Sequence, residues 1–374
     1  MFTTKKIAFV SVINDLVTDN RVNKTGMALI ECGYDVVLVG RKLSNSLPIP
    51  NWSFKTIRFK MIFKKGPVFY FFFNLRLFFV GLINKTDLFY ANDLDTLAPM
   101  FLLSKLKKKP LIYDSHELFC EVPELKDSKI KKAIWQKLEG YIIPKLKTCI
   151  TVNDSIAKIY VAKYNVPFHI IRNISDFDQS FIPQSRAQLS MPEDKKIILL
   201  QGAGINVDRG AEELIDAMEF VQNAVLYIIG SGDVWENLKQ KVSFNKNFQN
   251  KVVLINKLPK SELINYTFNA DIGLSIDKKT NLNYLYSLPN KIFDYIQAEI
   301  PILASRLPEI ENIILHYKIG DFIDDHNPKT IANKLNEMLY SQQLSSYKKY
   351  LTIAKKEITW KSEKEKLLTI IKNI

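Results

Sequence analysis

The sequence predicts an α/β fold with two doubly wound, Rossmann-like domains that face one another across a cleft. Short apolar runs alternate with stretches of helical periodicity along most of the 374 residues. This alternation is typical of a parallel sheet that is covered by helices on both faces. The length also favours two domains, since a domain has about 150 residues.

The alternation lapses from Asn173 to Asp194, where polar residues accompany two prolines. We therefore predict an N-terminal domain over residues 1–180, a linker over 181–194 and a C-terminal domain over 195–374. The last stretch, Ile331 to Ile374, reads as helices that can pack back on the N-terminal domain. In such folds ligands bind at the carboxyl ends of the strands.

Thirteen apolar runs are predicted to be strands, seven in the first domain and six in the second. In the first domain they are IAFVSVI, DVVLVG, FKTIRF, DLFYA, PLIYD, TCITV and FHIIR. In the second domain they are KIILLQG, AVLYIIG, VVLI, DIGLS, PILAS and IGDFI. A helix is expected from about Asp19 to Cys32, and Gly33 suits its end.

The net charge of +13 and a pI near 9.3 favour anionic partners: nucleic acid, an anionic membrane surface or a phosphate-rich ligand. The cysteines Cys32, Cys120 and Cys149 have no paired spacing, so neither a disulfide framework nor a zinc site is expected. The N-terminus lacks the features of a signal peptide. We expect a cytoplasmic location, with the possibility of peripheral attachment to the inner face of the cell membrane.

The run from Val68 to Ile83, VFYFFFNLRLFFVGLI, is the most apolar stretch. A helix that spans a membrane needs about 20 mostly apolar residues, and Asn74 and Arg76 interrupt this shorter run. Two readings remain open: a helix packed in the N-terminal core, or a helix that lies on a membrane surface.

The segment LLQGAGINVDRG after a predicted strand is the strongest local signal for ligand binding. Gly202 and Gly204 allow the backbone to approach a ligand, and the following helix offers free N–H groups to a phosphate. Arg209 could bind the same phosphate. Val207 breaks the dinucleotide fingerprint, and no Gly-Lys-Ser/Thr follows, so the segment is not a P-loop. A plain glycine-containing turn is the alternative.

The segment SLPNKIFDYI is the second signal. Pro289 suits a first helical turn, which places Asn290 and Lys291 at a helix N-terminus. A lysine there opposes the helix dipole, which is easier to understand if Lys291 faces an anion. Asp294, one turn further, can reach hydroxyl groups such as those of a ribose. A surface lysine beside a capping asparagine is the alternative.

Polar residues also follow strands in the first half. His116 lies just past a strand end, between the carboxylates of Asp114 and Glu117, where a group could touch a transferred sugar. A structural histidine is the alternative. After the first strand come the acceptor-side candidates Asn14, Asp19 and Arg21, with an N-cap as the alternative for Asp19.

Two Asp-x-Asp tripeptides, Asp93-Leu-Asp95 and Asp176-Phe-Asp178, resemble a metal-binding pattern. Asp95 is better explained as a helix N-cap, and the second tripeptide falls near the linker. No cluster has convincing metal-ligand spacing, so we predict no metal site. A Gly-x-Ser-x-Gly elbow is absent, which weakens a hydrolase assignment.

Four segments together resemble retaining glycosyltransferases of family 4, which have the GT-B fold. They are DNRVNKTGMALIECGYDVVLVGR, YANDLDTL with YDSHELF, LLQGAGINVDRGAEELIDAM, and LPNKIFDYIQAEIPILAS followed by LPEI. The resemblance is to enzymes of bacterial cell-surface polysaccharides. It implies a nucleoside-diphosphate sugar donor held mainly by the C-terminal domain, and an acceptor held mainly by the N-terminal one.

The resemblance also implies roles for individual residues. Arg209 and Lys291 would neutralise the diphosphate, and His116 would lie near the sugar. Asp294 takes the place of a glutamate that contacts the ribose, and Glu309 is a further donor-side candidate.

Three positions depart from the family pattern. Tyr286, itself a donor-side candidate, stands where the family has another glutamate. Ala203 stands where the family has an arginine, and Glu299 where a glycine is common. The first departure concerns sugar recognition, so the sugar is not predicted.

The predicted function is metal-independent transfer of a sugar to a glycan or lipid-linked acceptor, without a cofactor and with retention of anomeric configuration. Two other classes remain open. A nucleotide-sugar epimerase shares the two-domain plan, and a non-enzymatic protein could bind nucleic acid or a membrane surface through its basic charge. The nucleic-acid alternative is disfavoured because no recognised binding module is present.

Overall fold

The structure is a computed structural model that describes residues 5–126, 128–175 and 180–374. The chain divides into two compact units. The first contains Met1–Asn173 and Lys361–Ile374, and the second contains Ile174–Trp360. Each unit is built on its own parallel sheet.

The first unit has a seven-stranded sheet in the order β3-β2-β1-β4-β5-β6-β7. Its strands are β1 (Lys6–Asp15), β2 (Tyr34–Lys42), β3 (Lys55–Lys60), β4 (Leu88–Asn92), β5 (Leu111–Ser115), β6 (Thr148–Thr151) and β7 (Phe168–Ile170). Its helices are α1 (Asn20–Glu31), α2 (Gly66–Ile83), α3 (Leu94–Lys107), α4 (Lys129–Ile142) and α5 (Asp154–Tyr164), with short 3-10 turns at Phe119–Glu121, Pro123–Leu125 and Ile143–Lys145.

The second unit has a six-stranded sheet in the order β10-β9-β8-β11-β12-β13. Its strands are β8 (Lys196–Gly202), β9 (Ala224–Gly230), β10 (Val252–Asn256), β11 (Ile272–Ser275), β12 (Ile302–Ser305) and β13 (Gly320–Ile323). Its helices are α6 (Ala211–Ala217), α7 (Trp235–Phe244), α8 (Lys246–Gln249), α9 (Lys260–Phe268), α10 (Leu282–Leu285), α11 (Asn290–Gln297), α12 (Pro308–Tyr317), α13 (Pro328–Tyr340) and α14 (Gln343–Glu357). A last helix, α15 (Trp360–Lys372), follows.

Each predicted run forms a strand, and both sheets have the strand order of a doubly wound fold. The strands are continuous apolar runs because both faces of each sheet are covered. In β8, for example, Ile198 and Leu200 pack in one core cluster, whereas Ile197 and Leu199 pack in the other. The strand order reverses between β1 and β4 and between β8 and β11, so polar residues that follow these strands share one edge of each sheet.

The predicted linker differs from what the structure shows. Residues 180–194 pack against the second unit, where Met191 is only 4% exposed within its core. Arg186 donates from Nη2 to Oδ2 of Asp271 and to the carbonyl oxygen of Asn269, both at 2.8 Å. Met191 and Arg186 therefore hold residues 180–194 on the second unit, although the composition of this segment is typical of a linker. The Asp176-Phe177-Asp178 tripeptide lies outside the described residues.

Helix α15 packs in the first unit, although it follows the second along the chain. Oε2 of Glu363 accepts from the N–H of Arg172 at 2.8 Å, and Lys364 pairs with Glu31 at 2.9 Å. The first unit is therefore built from both ends of the chain.

Helix α2 is long and apolar enough, by length and composition, to cross a membrane; its mean hydropathy is 1.6 and 22% of it is buried in the protein. Its buried residues, Phe69, Phe73, Leu77 and Gly81, recur every four positions and form one stripe. A Cβ on Gly81 would lie 2.4 Å from Cδ1 of Leu103, so the helix is pressed closely against α3 there. One stripe of α2 is therefore core, and several of its other apolar side chains are exposed.

Candidate anion site in the second unit

The glycine turn after β8 is held against neighbouring strand ends. The N–H of Ile205 donates to the carbonyl oxygen of Ser231 at 2.7 Å, and the N–H of Lys278 donates to that of Asp208 at 2.8 Å. Gly210 has a φ of +77°, and a Cβ there would lie 2.5 Å from the carbonyl oxygen of Ile276. The turn therefore packs directly on the segment that leaves β11.

Replacing Gly210 by alanine is expected to lower the free energy of unfolding by about 1–3 kcal/mol or more, because the new Cβ meets backbone in a conformation that suits glycine. Gly204→Ala is the matched control. It lacks the positive φ, and its nearest neighbour would be 3.4 Å away. Urea denaturation of both variants checks this, and equal stability would show that the turn tolerates a Cβ at position 210.

Asp277 lies between the two cations that the sequence predicted to bind phosphate. Its side chain is 0% exposed, and its Oδ1 is 3.1 Å from Nη1 of Arg209. Its Oδ2 is 3.8 Å from Nζ of Lys291, which is 10% exposed. The guanidinium carbon of Arg209 lies 4.1 Å from the ring centroid of Tyr284. Two cations, Arg209 at 23% and Lys291 at 10% exposure, thus share one buried carboxylate, which leaves a positive charge in excess.

Burial and Asp277 act in opposite directions on both cations. Burial alone would lower the pKa of Arg209, but Asp277 and Tyr284 together outweigh it and the pKa is raised. For Lys291 burial prevails over the attraction of Asp277, and Arg209 adds repulsion, so its pKa lies below the ordinary value. An additional anion near Lys291 would oppose the effects of burial and of Arg209. It would raise the pKa of Lys291 and so favour the charged form of the ammonium.

Arg209 and Lys291 also have hydrogen-bond donors that Asp277 does not occupy. Nε of Arg209 is buried and has no hydrogen-bond partner within the described part of the chain. The 3.8 Å between Lys291 and Asp277 exceeds a hydrogen-bond distance. Buried donors without partners are costly in proteins, and they indicate a ligand that accepts from them.

Helix α11 adds free backbone N–H groups to the same place. The helix begins at Asn290, its N-cap is Pro289, and no side chain caps it. Asn290 is exposed. The prediction that Pro289 lies in the first helical turn is therefore wrong, because Pro289 is the N-cap. The alternative of a capping asparagine is wrong as well, because Asn290 is the first helical residue. A proline N-cap has no side-chain acceptor to offer, and the N–H of Ile292 donates to the carbonyl oxygen of Pro289 at 3.1 Å. Within the described residues the N–H groups of Asn290 and Lys291 remain available to an anion.

Asp294 joins the helix to the glycine turn. Its Oδ2 accepts from Nε2 of Gln201 at 3.0 Å, and Gln201 directly precedes Gly202. Oε1 of Gln201 accepts in turn from the hydroxyl of Thr267 at 2.7 Å. The two predicted segments therefore meet at one edge of the second sheet.

The remaining donor-side candidates are on elements of the same unit. Tyr286 is the C-cap of α10 and is half-buried. Glu309 lies in the first turn of α12, after β12, and is 3% exposed. The glycine backbone at Gly202 and Gly204 has room around it: a Cβ at either position would have no neighbour closer than 3.4 Å.

The acceptor-side candidate Arg21 is a buried structural cation in this geometry. It is 4% exposed, and it binds the carboxylate of Asp114 through Nε at 3.0 Å and Nη2 at 2.6 Å. Its Nη1 donates to the carbonyl oxygen of Ile171 at 2.8 Å. With its guanidinium facing these groups, Arg21 holds β5 and the chain after β7 together rather than facing an acceptor.

The carboxylate of Asp114 collects several donors. The hydroxyl of Tyr90 donates to it at 2.8 Å. Burial by itself would raise the pKa of Asp114, but Arg21 and then His116 outweigh it and the pKa lies below its ordinary value. Burial and the Asp114 charge raise the pKa of Tyr90 well above its usual range. Asp114 is therefore ionised and fully engaged.

His116 lies beside Asp93 and Asn92 and is 18% exposed. Its ring Nδ1 is 3.2 Å from Oδ2 of Asp93, and its backbone N–H donates to Oδ1 of the same carboxyl at 2.8 Å. Its Nε2 is 3.2 Å from Oδ1 of Asn92, whose amide nitrogen donates to the carbonyl oxygen of Ser11. Nε2 must then donate to Asn92, and a proton lies between Nδ1 and Asp93.

Burial acts on both partners of this contact. It raises the pKa of Asp93 well above the ordinary value, assisted by the nearby Asp95 and Glu117 charges. It lowers the pKa of His116, against the opposing effect of Asp114. Both shifts favour the uncharged forms of the two side chains. Asp93 has a φ of 59° and a ψ of 168°, a conformation rare outside glycine. Such strain is typical of functional sites.

The other acceptor-side candidates are local to α1. Asp19 is its N-cap and accepts from the N–H of Val22 at 3.2 Å, as the structural alternative predicted. Asn14 is exposed near the end of β1, and its amide is 3.4 Å from Asp19.

The sequence predicted Asp95 as the N-cap of α3, and this prediction is wrong. The cap is Asp93, and Asp95 lies in the first turn, where it is 6% exposed. Its Oδ1 has no hydrogen-bond partner within the described residues. Burial, with the Glu117 charge, raises its pKa to about 8. The helix therefore begins two residues earlier than predicted, after Asp93 in its strained conformation.

The contribution of Asp95 to the free energy of unfolding is expected to fall as the pH rises from about 4 to about 8. Asp95 has a raised pKa in the folded state, so the native protein binds more protons than the unfolded chain over this range. One full proton of difference gives a slope of about 1.4 kcal/mol per pH unit. Asp95→Asn should flatten the slope in chemical denaturation, whereas the exposed Asp35→Asn should not. An unchanged slope in Asp95→Asn would contradict the assignment.

Asp277, Tyr284 and Gln201 were not predicted from the sequence. Asp277 lies two residues after the end of β11. His116 was singled out as a polar residue just past a strand end, and the same criterion applies to Asp277. Tyr284 and Gln201 carry no motif and act only through their neighbours. Within residues 5–126, 128–175 and 180–374, no group of three His, Cys, Asp or Glu side chains could hold a metal ion.

Comparison with known proteins supports a glycosyltransferase. Residues 181–357, nearly all of the second unit, match the family model described as Glycosyl transferases group 1. No curated protein matches the chain by sequence.

Solved structures are similar to the chain over nearly its whole length. Sucrose-phosphate synthase from Thermosynechococcus elongatus has a TM-score of 0.78 at 15% identity, with 99% of both chains covered. WaaG, a glycosyltransferase involved in lipopolysaccharide biosynthesis, has a TM-score of 0.73 at 14% identity, with 98% of this chain and 99% of that chain covered. Anabaena HepE in complex with UDP-glucose has a TM-score of 0.71 at 14% identity, with 99% of this chain and 100% of that chain covered. The fold is GT-B, as predicted.

Proposed function

We propose that the protein transfers a sugar from a nucleoside-diphosphate sugar to a glycan or lipid-linked acceptor, with retention of anomeric configuration. The observation that carries the proposal is the pair of buried cations, Arg209 and Lys291, which share Asp277 and have donors in reserve. The UDP-glucose complex of the similar Anabaena HepE supports a donor of this chemical class.

In the proposed reaction a hydroxyl oxygen of the acceptor forms a bond to the anomeric carbon and releases its proton to solvent. The bond between that carbon and the diphosphate breaks, and negative charge develops on the leaving group. Arg209, Lys291 and the first N–H groups of α11 are placed to stabilise that charge. Two cations and a helix terminus supply the countercharge, so the proposal needs no metal and no cofactor. The open backbone at Gly202 and Gly204 allows the diphosphate to approach.

The other donor-side roles follow from the resemblance to family 4. Asp294, oriented by Gln201, would bind the ribose hydroxyls, and Tyr286 and Glu309 would lie towards the sugar. His116 would contact the transferred sugar, with its ring held by Asp93 and Asn92. Asn14 and Asp19 stay acceptor-side candidates, whereas Arg21 supports the fold.

The acceptor class is proposed from the resemblance to enzymes of bacterial cell-surface polysaccharides. WaaG, which is similar in fold, is described as acting in lipopolysaccharide biosynthesis. An acceptor of this kind would be reached from the cytoplasm, at the inner face of the cell membrane.

A panel of nucleoside diphosphates and their sugar conjugates, tested by thermal shift, would identify the donor because a tight ligand raises apparent stability by mass action. Transfer to a lipid-linked acceptor would then be followed by NMR of the anomeric proton, and retention is expected. An inverted product would contradict retention. Conversion of the sugar nucleotide without any acceptor would identify the epimerase alternative, and no stabilisation by any nucleoside diphosphate would overturn the proposal.

A further inference from the structure

Helices α2, α3 and α4 lie side by side on one face of the first sheet. They connect β3 to β4, β4 to β5 and β5 to β6, which places them on the same face because such crossovers are right-handed. Asn74 of α2 donates to the carbonyl oxygen of Asp95 in α3 at 2.9 Å. The rings of Tyr70 in α2 and Trp135 in α4 are 5.2 Å apart. The three helices therefore form one continuous outer layer.

This layer exposes large apolar side chains on every helix. Phe71 is 61% exposed, Ile83 81%, Leu106 64% and Ile130 77%. The exposed apolar residues of the layer and of the loop before it are Ile62, Phe63, Val68, Phe71, Phe72, Leu75, Phe79, Leu82, Ile83, Leu102, Leu106, Ile130, Ile134 and Tyr141. Isolated exposed apolar residues are ordinary, but a set that extends over three adjacent helices indicates an interaction surface.

The charge of the same surface is mostly positive, although Glu121 pairs with Lys132 at 2.7 Å and Asp87 with Lys109 at 2.9 Å. Segments 61–86, 101–110 and 128–147 contain a single carboxylate, Glu139, which is buried and paired with Lys163. Their cations are Lys64, Lys65, Arg76, Lys85, Lys105, Lys107, Lys108, Lys109, Lys129, Lys131, Lys132, Lys137, Lys145 and Lys147. A partner that is both apolar and anionic would complement this surface.

Lysines also line a pocket of about 710 Å³ where α3 and α4 end. Among them, Lys105, Lys108, Lys145 and Lys147 form no ion pair within the described residues, whereas Lys109 is paired with Asp87 at 2.9 Å. The exposed Leu106 of α3 and Tyr141 of α4 are close to this pocket in the chain. Unpaired ammonium groups beside apolar side chains suit a phosphate at the boundary of an acyl layer.

We propose that the first unit docks on an anionic lipid bilayer through the outer face of α2, α3 and α4. The apolar side chains enter the boundary between headgroups and acyl chains, and the lysines bind lipid phosphates. Contact is peripheral, because the stripe from Phe69 to Gly81 is packed against the protein core and ties α2 to the sheet. The inference rests on this surface alone and does not depend on the proposed sugar transfer.

Flotation of the full chain with vesicles tests the proposal. With 30% phosphatidylglycerol in phosphatidylcholine we expect the protein to float with the lipid, and with pure phosphatidylcholine we expect at least about tenfold weaker partitioning. Raising the salt concentration should weaken the binding, since screening acts on the lysine contribution.

Two variants separate the contributions of charge and apolar contact. The fourfold change K105Q, K108Q, K145Q and K147Q should lower partitioning to anionic vesicles at least about tenfold. Its control, K246Q, K257Q, K348Q and K349Q, makes the same change of net charge in exposed lysines of the second unit.

The apolar variant F71S, F79S and L106S should reduce partitioning to a similar extent, because all three side chains are exposed and leave the core intact. Its control, I182S, F244S and L315S, removes exposed apolar residues from the second unit. Circular dichroism of each variant should show the native helix content.

Three results would overturn the proposal. The wild-type chain could fail to bind anionic vesicles. The control variants could weaken binding as much as the test variants do, which would indicate general charge or stickiness. The chain could also be a dimer that F71S, F79S and L106S dissociates, with no lipid binding, in which case a second copy covers this surface.

Discussion

Replacing Lys291 by alanine is expected to lower the rate of sugar transfer by about 100-fold or more. The ammonium is 10% exposed and is held by Asp277 without a hydrogen bond, so it is available to the leaving diphosphate. Loss of such a donor raises the energy of the transition state more than that of the bound substrate. Steady-state kinetics with the donor identified by thermal shift would measure the effect, and kcat should fall more than KM rises.

Lys257→Ala is the matched control, since this lysine is an exposed residue of the same unit that follows β10. It should retain full activity. Full turnover by Lys291→Ala, with native stability, would show that Lys291 does not take part in the reaction.

Replacing Asp277 by asparagine is expected to lower the free energy of unfolding by about 3–5 kcal/mol. The carboxylate is fully buried, and its loss leaves Arg209 and Lys291 as buried cations that repel each other. Urea denaturation would measure the change. The control is Asp216→Asn, which breaks a surface pair with Lys241 and should cost at most about 1 kcal/mol.

A bound diphosphate should offset part of the Asp277→Asn defect, because its charge replaces that of the missing carboxylate. Saturating nucleoside diphosphate is therefore expected to stabilise this variant more than the wild-type protein. If the ligand stabilises both equally, the cations around Asp277 do not face the diphosphate.

The strands were predictable because parallel strands buried on both faces appear as continuous apolar runs. The run KIILLQG, for example, forms β8 from Lys196 to Gly202. The proximity of Arg209 and Lys291 was predictable because each follows a strand or begins a helix, at one edge of the sheet. In both cases a local pattern carries the information.

Features that depend on a distant partner were not predictable. Arg21 is polar and follows a strand, but its burial depends on Asp114, 93 positions away. The segment from 180 to 194 looks like a linker, yet Arg186 finds its partners near Asp271. Asp95 was misassigned as a cap because the strained backbone of Asp93 has no counterpart in composition or spacing.

The proposed sugar transfer depends most on a diphosphate pocket formed by Arg209 and Lys291. Calorimetric titration of the full chain with UDP, ADP, GDP and CDP, and with the corresponding nucleosides, measures what the diphosphate contributes to affinity. We predict that one diphosphate binds at least about tenfold more tightly than its nucleoside, and that the double variant Arg209→Gln, Lys291→Met loses this difference. An unchanged difference in the double variant, or no preference for any diphosphate over its nucleoside, would contradict the account.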